Sequence, residues 1–356
     1  MNKILIAAGG TGGHIIPALS IARELSRSGN QLLFIGNRNS IEEKLITGSG
    51  YDFHGINIQK LYRKLTFLHL KFPFKLIKSI LDSSAVIRSY QPDMFLGTGG
   101  FVSGPVGYAA KLMKIPIFLQ EQNSFPGKTT RLLAASARKI FLGTAAAQNY
   151  FSPEKVLLTG NPINPSLYES SSEIDPASLG LKKDSFKLFV IGGSQGSYFL
   201  NKSLMKIIDE LLDSGIEIIW QTGSYSFDEI KQAVGSRKGI YCFDFDPDPG
   251  KYYRSADIAL ARCGALTLAE LETCKLPALL VPLPSAAGNH QYYNGMEQVE
   301  KGIAVMLEQK DISPDRLRSD IIKLRSEAKN MVEKFGESIH TNAASTIAAY
   351  LEQLKG

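Results

Sequence analysis

The sequence contains few of the residues that build disulfide frameworks or metal clusters. Its 356 residues include only three cysteines and one tryptophan. Cys242, Cys263 and Cys274 form no CxxC pair and no metal-ligand spacing, so we expect reduced thiols in a reducing compartment. Long hydrophobic runs are also lacking. Because no stretch of 18 apolar residues occurs, no membrane-spanning helix is expected.

Acidic residues are scarce in the first half of the chain. Residues 1–164 hold 19 Lys and Arg against 8 Asp and Glu, a net charge of +11, whereas residues 165–356 hold 21 and 26, a net charge of −5. These values sum to the overall charge of +6. The asymmetry predicts that only the first half meets an anionic surface.

Two glycine-rich loops of similar sequence lie about half a chain apart. GGTGGH, residues 9–14, follows the apolar run 4–8, and GGSQG, residues 192–196, follows the apolar run 188–191. A strand, a glycine loop and a helix start form a phosphate site, because free N–H groups and the helix dipole favour an anion. The first loop is not a dehydrogenase fingerprint, since Ile15 stands where GxGxxG needs its third glycine.

The two halves repeat one alternation of strands and helices, which is typical of a parallel, doubly wound α/β sheet. Two prolines in GNPINP, residues 160–165, would end any regular element, so we place the domain junction there. The predicted domains are residues 1–163 with a returning C-terminal helix, 341–356, and residues 164–340. The fold class is therefore α/β, with two Rossmann-like domains facing each other across a cleft.

The first half carries further polar groups after predicted strands. GTGGFVSGP, residues 97–105, predicts a second anion cradle, with Gly99, Gly100, Ser103 and Gly104 as candidate acceptor contacts. Glu121-Gln122-Asn123 follows strand 115–119, where open α/β sheets carry ligand groups. His14, at a helix start beside a phosphate loop, is a candidate proton acceptor.

The second half has three polar segments with competing interpretations. Asp244-Phe245-Asp246-Pro247-Asp248 looks like a metal-binding DxD motif, but its prolines favour a structural loop, so no metal site is expected. Thr267 and Glu270 are spaced as a helix-capping box, or Glu270 could hold a ribose diol. Gln291 and Asn294 lie one helical turn apart and face the same way.

The ordered motifs GGTGGH, GTGGFVSGP, EQN, GNP, GGSQG, GALTLAE and NHQYYN resemble the bacterial MurG family over essentially the whole chain. That family transfers N-acetylglucosamine to lipid I, giving lipid II in peptidoglycan synthesis. The resemblance implies a GT-B fold of glycosyltransferase family 28, a UDP-N-acetylglucosamine (UDP-GlcNAc) donor and inversion at the sugar carbon. It implies no metal or other cofactor, and no nucleic acid is expected as a partner.

The resemblance also implies roles for individual residues. His14 would be the general base, with Glu121 as second candidate. The implied donor contacts are Thr11, Gly12, Gly13, Asn123, Ser194, Gln195, Gly196, Ala265, Leu266, Thr267, Glu270 on the ribose, and Gln291 and Asn294 on the sugar hydroxyls. Asn164 departs from the family, which commonly has arginine there, and Arg262 is the candidate that would compensate.

A basic and aromatic segment, residues 60–78, contains six Lys and Arg, no acid and interleaved bulky apolar residues. One interpretation is a solvated helix with a core stripe. The other is a docking surface for anionic lipid headgroups, which a lipid-linked acceptor requires. The candidate membrane residues are Lys64, Phe67, Lys71, Phe72, Phe74, Lys75 and Lys78. We therefore expect a peripheral protein on the cytoplasmic face of the bacterial inner membrane.

Two other functions remain open from the sequence. A UDP-GlcNAc 2-epimerase of the same fold would need no lipid acceptor and would leave segment 60–78 unexplained. A non-catalytic sugar-nucleotide-binding subunit would need only one working domain, whereas both glycine loops are intact here.

Overall fold

The computed structural model describes residues 1–58, 68–169 and 174–354. The chain divides into two compact units. The first unit comprises Met1–Ile163 and Ile339–Gly356, and the second comprises Asn164–Ser338. Each unit is built around its own parallel sheet. The predicted fold class of two parallel-sheet α/β domains is therefore confirmed.

The first unit contains a seven-stranded sheet in the order β3-β2-β1-β4-β5-β6-β7. Its central strands are short, continuous apolar runs because both faces are covered by helices. The strands are β1 (Lys3–Ala7), β2 (Gln31–Asn37), β3 (Phe53–Ile56), β4 (Met94–Gly97), β5 (Ile117–Glu121), β6 (Ala137–Leu142) and β7 (Val156–Leu158).

Within the described residues, six α-helices accompany this sheet. They are α1 (Gly12–Arg27), α2 (Ile41–Gly48), α3 (Leu68–Tyr90), α4 (Ser103–Leu112), α5 (Lys128–Leu133) and the last helix of the chain, Ala343–Gln353. The last helix lies in the first unit, where Ile347 and Leu351 are fully buried in the apolar cluster that includes Ile15 and Ile21 of α1.

The apolar runs of the sequence miss strand β3, and the segment 97–105 predicts a helix start at Pro105, two residues after the observed start of α4. β3 is a four-residue edge strand whose sequence, FHGI, contains a histidine and a glycine, so its apolar signal is weak. Helix α4 begins at Ser103 rather than near Pro105 because a proline is tolerated within the first helical turn.

The second unit contains a six-stranded sheet in the order β10-β9-β8-β11-β12-β13. All six strands fall where the apolar runs predict them. They are β8 (Phe186–Ile191), β9 (Ile216–Gln221), β10 (Ile240–Phe243), β11 (Ile258–Ala261), β12 (Ala278–Leu280) and β13 (Ala304–Met306).

Eight α-helices complete the described part of the second unit. They are α6 (Ser166–Glu169), α7 (Tyr198–Met205), α8 (Ile208–Asp213), α9 (Phe227–Val234), α10 (Gly250–Ser255), α11 (Ala265–Thr273), α12 (His290–Glu300) and α13 (Pro314–Val332), and the last helix of the chain is α14. The helical pattern over residues 198–213 predicts one helix, but the structure contains two, because the backbone leaves the helical region at Ile207. Both α7 and α8 contribute buried leucines to the core.

Each sheet reverses its strand order once, between β1 and β4 in the first unit and between β8 and β11 in the second. The loops after the strands on either side of such a reversal diverge and leave a crevice for a ligand. The two predicted phosphate loops follow β1 and β8, so each lies at the reversal point of its own sheet. None of the helices in the described part of the chain is long and apolar enough to cross a membrane.

Candidate functional site

In the first unit, the loops after β1 and β4 pack backbone against backbone. A Cβ atom on Gly100 would lie 2.0 Å from the Gly9 carbonyl oxygen, and Gly100 has φ +78°. Both features require glycine at this position. Gly10, Thr11 and Gly13 are exposed where helix α1 begins. The predicted first phosphate loop is therefore an open helix N-terminus, held in place by the second glycine loop.

His14 lies in the first turn of α1, against the β4 loop. Its Nδ1 atom is 3.0 Å from the Thr98 carbonyl oxygen and 3.1 Å from Oε1 of Gln122. A Cβ on Gly99 would lie 2.9 Å from Nδ1, so only glycine lets the loop approach the ring this closely. Three separate segments of the chain thus meet at the imidazole, each from the carboxyl end of a strand.

Glu121, the second candidate base, is only 2% exposed. Its Oε1 accepts hydrogen bonds from the backbone and side-chain nitrogens of Asn123, and its Oε2 accepts one from the Gly127 backbone. These contacts stabilise the loop 122–127 and engage both carboxylate oxygens of Glu121. Asn123 is half-buried in the same loop.

The candidate acceptor residues of the β4 loop differ in accessibility. Gly99 and Gly100 have φ angles of +97° and +78° and hold the loop at its turn. Ser103 is 1% exposed, and its hydroxyl contacts the carbonyl oxygens of Ala7 and Gly99. Its side chain therefore stabilises the two loops and faces the protein. Gly104 is half-buried at the start of α4.

In the second unit, the loop after β8 also has backbone contacts that only glycine allows. A Cβ on Gly196 would lie 2.0 Å from the Thr222 carbonyl oxygen, and Gly196 has φ +73°. Ser194 and Gln195 are exposed at the tip of this loop. Ser197 caps α7 by accepting a hydrogen bond from Leu200 N at 3.4 Å. The loop therefore presents two polar side chains beside a capped helix N-terminus.

Glu270 lies on α11, near the loop after β11. Helix α11 begins at Ala265 with Gly264 as its N-cap and no side-chain capping bond, so the capping box suggested by the sequence is not formed. Burial raises the pKa of Glu270 to about 7, and a hydrogen bond from the Tyr253 hydroxyl at 2.6 Å opposes that rise. A buried carboxylate without a capping role is a candidate to hold a polar ligand group.

Tyr253 was missed by the sequence analysis. It is buried on α10, and its ring packs edge-on against Phe189 of β8 with the centroids 5.0 Å apart. The sequence signal was the Tyr252-Tyr253 pair before strand β11, but nothing in that spacing connects Tyr253 with Glu270.

Similarity to known proteins covers both units. The glycosyltransferase family 28 N-terminal domain matches residues 4–142, and the family 28 C-terminal domain matches residues 187–350. A relative from Shewanella sp. (strain W3-18-1) is 36% identical over 355 residues, covering 98% of this chain and 96% of the relative. Its name is UDP-N-acetylglucosamine–N-acetylmuramyl-(pentapeptide) pyrophosphoryl-undecaprenol N-acetylglucosamine transferase.

Solved structures are similar over the same length. The crystal structure of Acinetobacter baumannii MurG has a TM-score of 0.77 and 25% identity, covering 99% of this chain and all of that one. The chain belongs to the MurG family of glycosyltransferases. A UDP-N-acetylglucosamine 2-epimerase structure from Listeria monocytogenes, described as putative in its name, has a TM-score of 0.71 at 14% identity over 99% of this chain and 96% of that one. At that identity the likeness shows the shared fold alone.

Arg262, the residue predicted to compensate for Asn164, lies in the second unit. Arg262 is buried, which lowers its pKa to about 10. Its guanidinium donates to Ser197 Oγ, to the carbonyls of Val281 and Pro282, and to Gln309 Oε1. Asn164 donates to the Pro247 carbonyl at 2.9 Å. Through its bond to Ser197, Arg262 thus stabilises the start of α7, the helix that follows the glycine loop after β8.

Two further predicted donor contacts lie in the first turns of α12. The Gln291 side chain accepts a hydrogen bond from Leu283 N at 2.9 Å. Asn294 is buried and donates to the Cys263 carbonyl at 3.3 Å. Through this bond Asn294 ties α12 to the loop that precedes α11. Ala265, Leu266 and Thr267 form the first turn of α11, with the side chains of Leu266 and Thr267 buried.

The acidic segment 244–248 has the contacts of a structural loop. Asp246 accepts hydrogen bonds from Asp248 N and the Tyr252 hydroxyl and forms an ion pair with Lys251 at 2.7 Å. Within the described residues, no group of three or more His, Cys, Asp or Glu side chains could hold a metal ion. Metal-independent catalysis remains a prediction.

Helix α3 carries the described part of the predicted membrane segment. Phe74 is 76% exposed, and Lys75 and Lys78 are also exposed, whereas Phe72 is half-buried. Ile77 and Leu81, which were not among the predicted residues, are 56% and 62% exposed. Lys71 lies on the helix, while Lys64 and Phe67 fall outside the described residues. Among the described residues, helix α3 therefore has an exposed apolar stripe, defined here as Phe74, Ile77 and Leu81, beside Lys75 and Lys78.

Proposed function

We propose that this chain transfers N-acetylglucosamine from UDP-GlcNAc to the C4 hydroxyl of the N-acetylmuramyl group in lipid I, forming lipid II with inversion at the anomeric carbon. The observation that carries the proposal is the 36% identity, over 98% of this chain, to a relative named for that transfer. Intact glycine loops at the reversal points of both sheets support it, because this reaction needs two anionic substrates.

The first unit provides the acceptor chemistry in this proposal. His14 takes the proton from the acceptor hydroxyl as that oxygen attacks the donor's anomeric carbon. The backbone of the β4 loop, residues 99–104 at the start of α4, provides N–H donors for the diphosphate of the lipid-linked acceptor. Thr11, Gly12, Gly13 and Asn123 are the residues of this unit that we assign to the donor side.

The second unit binds the donor. Ser194, Gln195 and the Gly196 loop hold the diphosphate at the start of α7, and the helix dipole stabilises the leaving UDP. The carboxylate of Glu270 accepts hydrogen bonds from the ribose diol. Gln291 and Asn294 contact the sugar hydroxyls. The backbone of the first turn of α11, Ala265 to Thr267, also contacts the donor.

We further propose that α3 docks the enzyme on the cytoplasmic face of the inner membrane. Its stripe of Phe74, Ile77 and Leu81, with Lys75 and Lys78 beside it, combines exposed apolar area with positive charge. Anionic headgroups attract such charge, and apolar side chains insert below them. The acceptor's undecaprenyl chain resides in that membrane, so docking brings the first unit to its substrate.

Product analysis tests the proposed reaction directly. The protein is incubated with UDP-GlcNAc, with and without a soluble lipid I analogue. A transferase produces the disaccharide product and UDP only when the analogue is present. Formation of UDP-N-acetylmannosamine without the acceptor would instead identify an epimerase, and unchanged UDP-GlcNAc in both samples would identify a binding subunit.

Glu270→Gln is expected to weaken UDP-GlcNAc binding about 10–100-fold, because hydrogen bonds to a charged group are worth about 1.5–3 kcal/mol. UDP-GlcNAc is the right probe because its diphosphate does not titrate near neutral pH. Since burial raises the pKa of Glu270 to about 7, wild-type affinity should rise with pH up to about 7 and then level off. Calorimetric titration between pH 5.5 and 8.5 measures both effects.

The stability of the same variant separates ligand binding from a structural role. The folded pKa of Glu270 lies above its ordinary value of 4.5, so its protonation stabilises the fold at low pH, and that stability is lost as pH rises through about 7. At pH 8 the free energy of unfolding of the Gln variant should therefore exceed that of the wild type by about 3 kcal/mol. Glu217→Gln, which changes another buried glutamate of this unit, bonded to Lys182 N and Ser185 Oγ, should leave affinity unchanged. Equal affinity of wild type and Glu270→Gln would contradict the ribose role.

Activity is expected to persist in excess EDTA. The reason is that loop amides and the dipole of α7 stabilise the leaving diphosphate, while Asp246 is already bonded to Lys251, Tyr252 and Asp248. The initial rate of UDP release is measured before and after chelation. Loss of activity that Mg²⁺ or Mn²⁺ restores would show that a cation is required.

A further inference from the structure

Behind His14 lies a buried row of neutral amides in the first unit. Gln122 Oε1 contacts His14 Nδ1 at 3.1 Å, Gln122 Nε2 donates to Gln120 Oε1, and Gln120 Nε2 donates to Asn161 Oδ1 at 3.2 Å. All three amide residues are at most 2% exposed. We call Gln122, Gln120 and Asn161 the amide row. A Cβ on Gly143 would lie 2.0 Å from Asn161 Oδ1, so glycine there makes room for the row.

Backbone groups fix the direction of this row at both ends. Asn161 Nδ2 donates to the Gln122 carbonyl at 3.1 Å, so Asn161 Oδ1 must face Gln120. Gln120 then turns its Nε2 toward Asn161 and its Oε1 toward Gln122. Independently, Gln122 Nε2 donates to the Thr98 carbonyl at 2.7 Å, which leaves Gln122 Oε1 facing His14. The two anchors require the same orientation.

The orientation of the amide row determines which nitrogen of the neutral His14 ring carries the hydrogen. His14 Nδ1 faces two oxygens that can only accept, Gln122 Oε1 and the Thr98 carbonyl. A neutral imidazole with a hydrogen on Nδ1 has its basic lone pair on Nε2. We propose that the amide row positions His14 in the Nδ1–H tautomer, so that Nε2 is the proton-accepting atom, and that Gln122 selects this tautomer together with the Thr98 carbonyl.

The proposal rests on the proposed function of His14 and adds three positioning residues to it. Proton acceptors of this kind are commonly oriented by a carboxylate, whereas here the orienting group carries no charge. Titratable groups on the surrounding elements include Glu121, Glu42 on α2 beside Gly9, and His340. Glu121 binds Asn123 and Gly127, and His340 Nδ1 accepts from Asn161 N at 2.8 Å. None of these three replaces Gln122 at Nδ1.

The tautomer is tested by ¹H–¹⁵N NMR of the histidine-labelled full-length protein, with the His14 signals assigned by their loss in His14→Gln. The expected result at pH 8 is a hydrogen on Nδ1 and none on Nε2. A hydrogen on Nε2 in the wild-type protein would overturn the proposal. This measurement needs no substrate, so it stands even if the transfer reaction is not observed.

The role of Gln122 is tested by the pH profile of kcat with the soluble acceptor analogue. Gln122→Glu places a carboxylate against Nδ1–H, so the acid limb should move up by about one pH unit or more. At the low pH values where wild-type activity begins to rise, kcat of the Gln122→Glu variant should be about tenfold lower than that of the wild type. At high pH the two values of kcat should become similar. Gln122→Leu, which removes the partner, should lower kcat at every pH with little change in KM.

Gln298→Glu, which buries a carboxylate on α12 in the second unit, is the matched control and should leave the acid limb in place. Circular dichroism verifies that each variant is folded. If Gln122→Glu is folded and active with an unmoved acid limb, Gln122 does not act on His14 and the proposal is wrong. Absence of activity in the wild type would instead contradict the proposed function and leave the NMR result to decide the tautomer.

Discussion

His14→Ala is expected to lower kcat by about 10²–10⁴-fold, the usual contribution of a positioned general base. UDP-GlcNAc affinity should change little, because the main donor contacts that we assign lie in the second unit. The physical reason is the position of the ring at an open helix start, with Nδ1 already committed to Thr98 and Gln122. Steady-state kinetics with the lipid I analogue and calorimetric titration of UDP-GlcNAc measure the two quantities.

His54→Ala is the matched control for that experiment. His54 lies exposed on the edge strand β3 of the same unit, so its removal should leave kcat unchanged. A His14→Ala enzyme with near-normal turnover would show that another group accepts the proton. Glu121→Gln would then be the next variant, although the bonds of Glu121 to Asn123 and Gly127 predict that this change mainly destabilises the loop.

The double variant Ile77→Ser/Lys78→Glu is expected to weaken binding to anionic vesicles by about 10²-fold. Burying an isoleucine side chain contributes about 1.5–3 kcal/mol, and each basic residue near such a surface contributes about 1 kcal/mol. Replacing Lys78 by an acid both removes an attraction and adds a repulsion. Co-sedimentation with vesicles containing anionic lipid, at low and at high salt, measures the loss, and turnover of the soluble acceptor should be retained.

Ile322→Ser/Lys323→Glu on α13 is a close control for that pair. Lys78 and Lys323 have side chains that are 65% and 67% exposed, and each has an acidic residue four positions later, Asp82 and Glu327. Ile322 is 40% exposed. The control pair lies in the acidic second half and should bind vesicles like wild type. Equal loss in both variants would mean that binding reflects overall charge, and no loss in either would show that α3 is not the docking surface.

The exposed face of helix α3 could not be predicted from the sequence. The sequence identified a basic, aromatic segment, but charge and aromatic content do not reveal which face of a helix is covered. Phe72 is half-buried against the unit, while Ile77 and Leu81 are left exposed. The distribution depends on how α3 rotates when it packs against the sheet and α4, which no local pattern specifies.

Glu270 shows the same limit within a motif. Its spacing from Thr267 fits a capping box, and the sequence alone did not decide between that role and a contact with the ribose. In the structure the helix begins at Ala265, so Thr267 is not at the cap position. The partner of Glu270 is Tyr253, 17 residues earlier in the chain. Such a pair forms only when α10 and α11 are brought together by the sheet.

The sequence by itself determined the family, the two parallel-sheet units and the places of both glycine loops. Strand, loop and helix starts are local features, because apolar runs and glycines act within a few residues of themselves. The tertiary structure alone decided the environment of His14. Thr98 follows β4, Gln120 and Gln122 lie at the end of β5, and Asn161 follows β7, so their hydrogen bonds depend on the order of strands in the sheet. A tautomer depends on such nonlocal contacts, so it could not be predicted from the residues near His14.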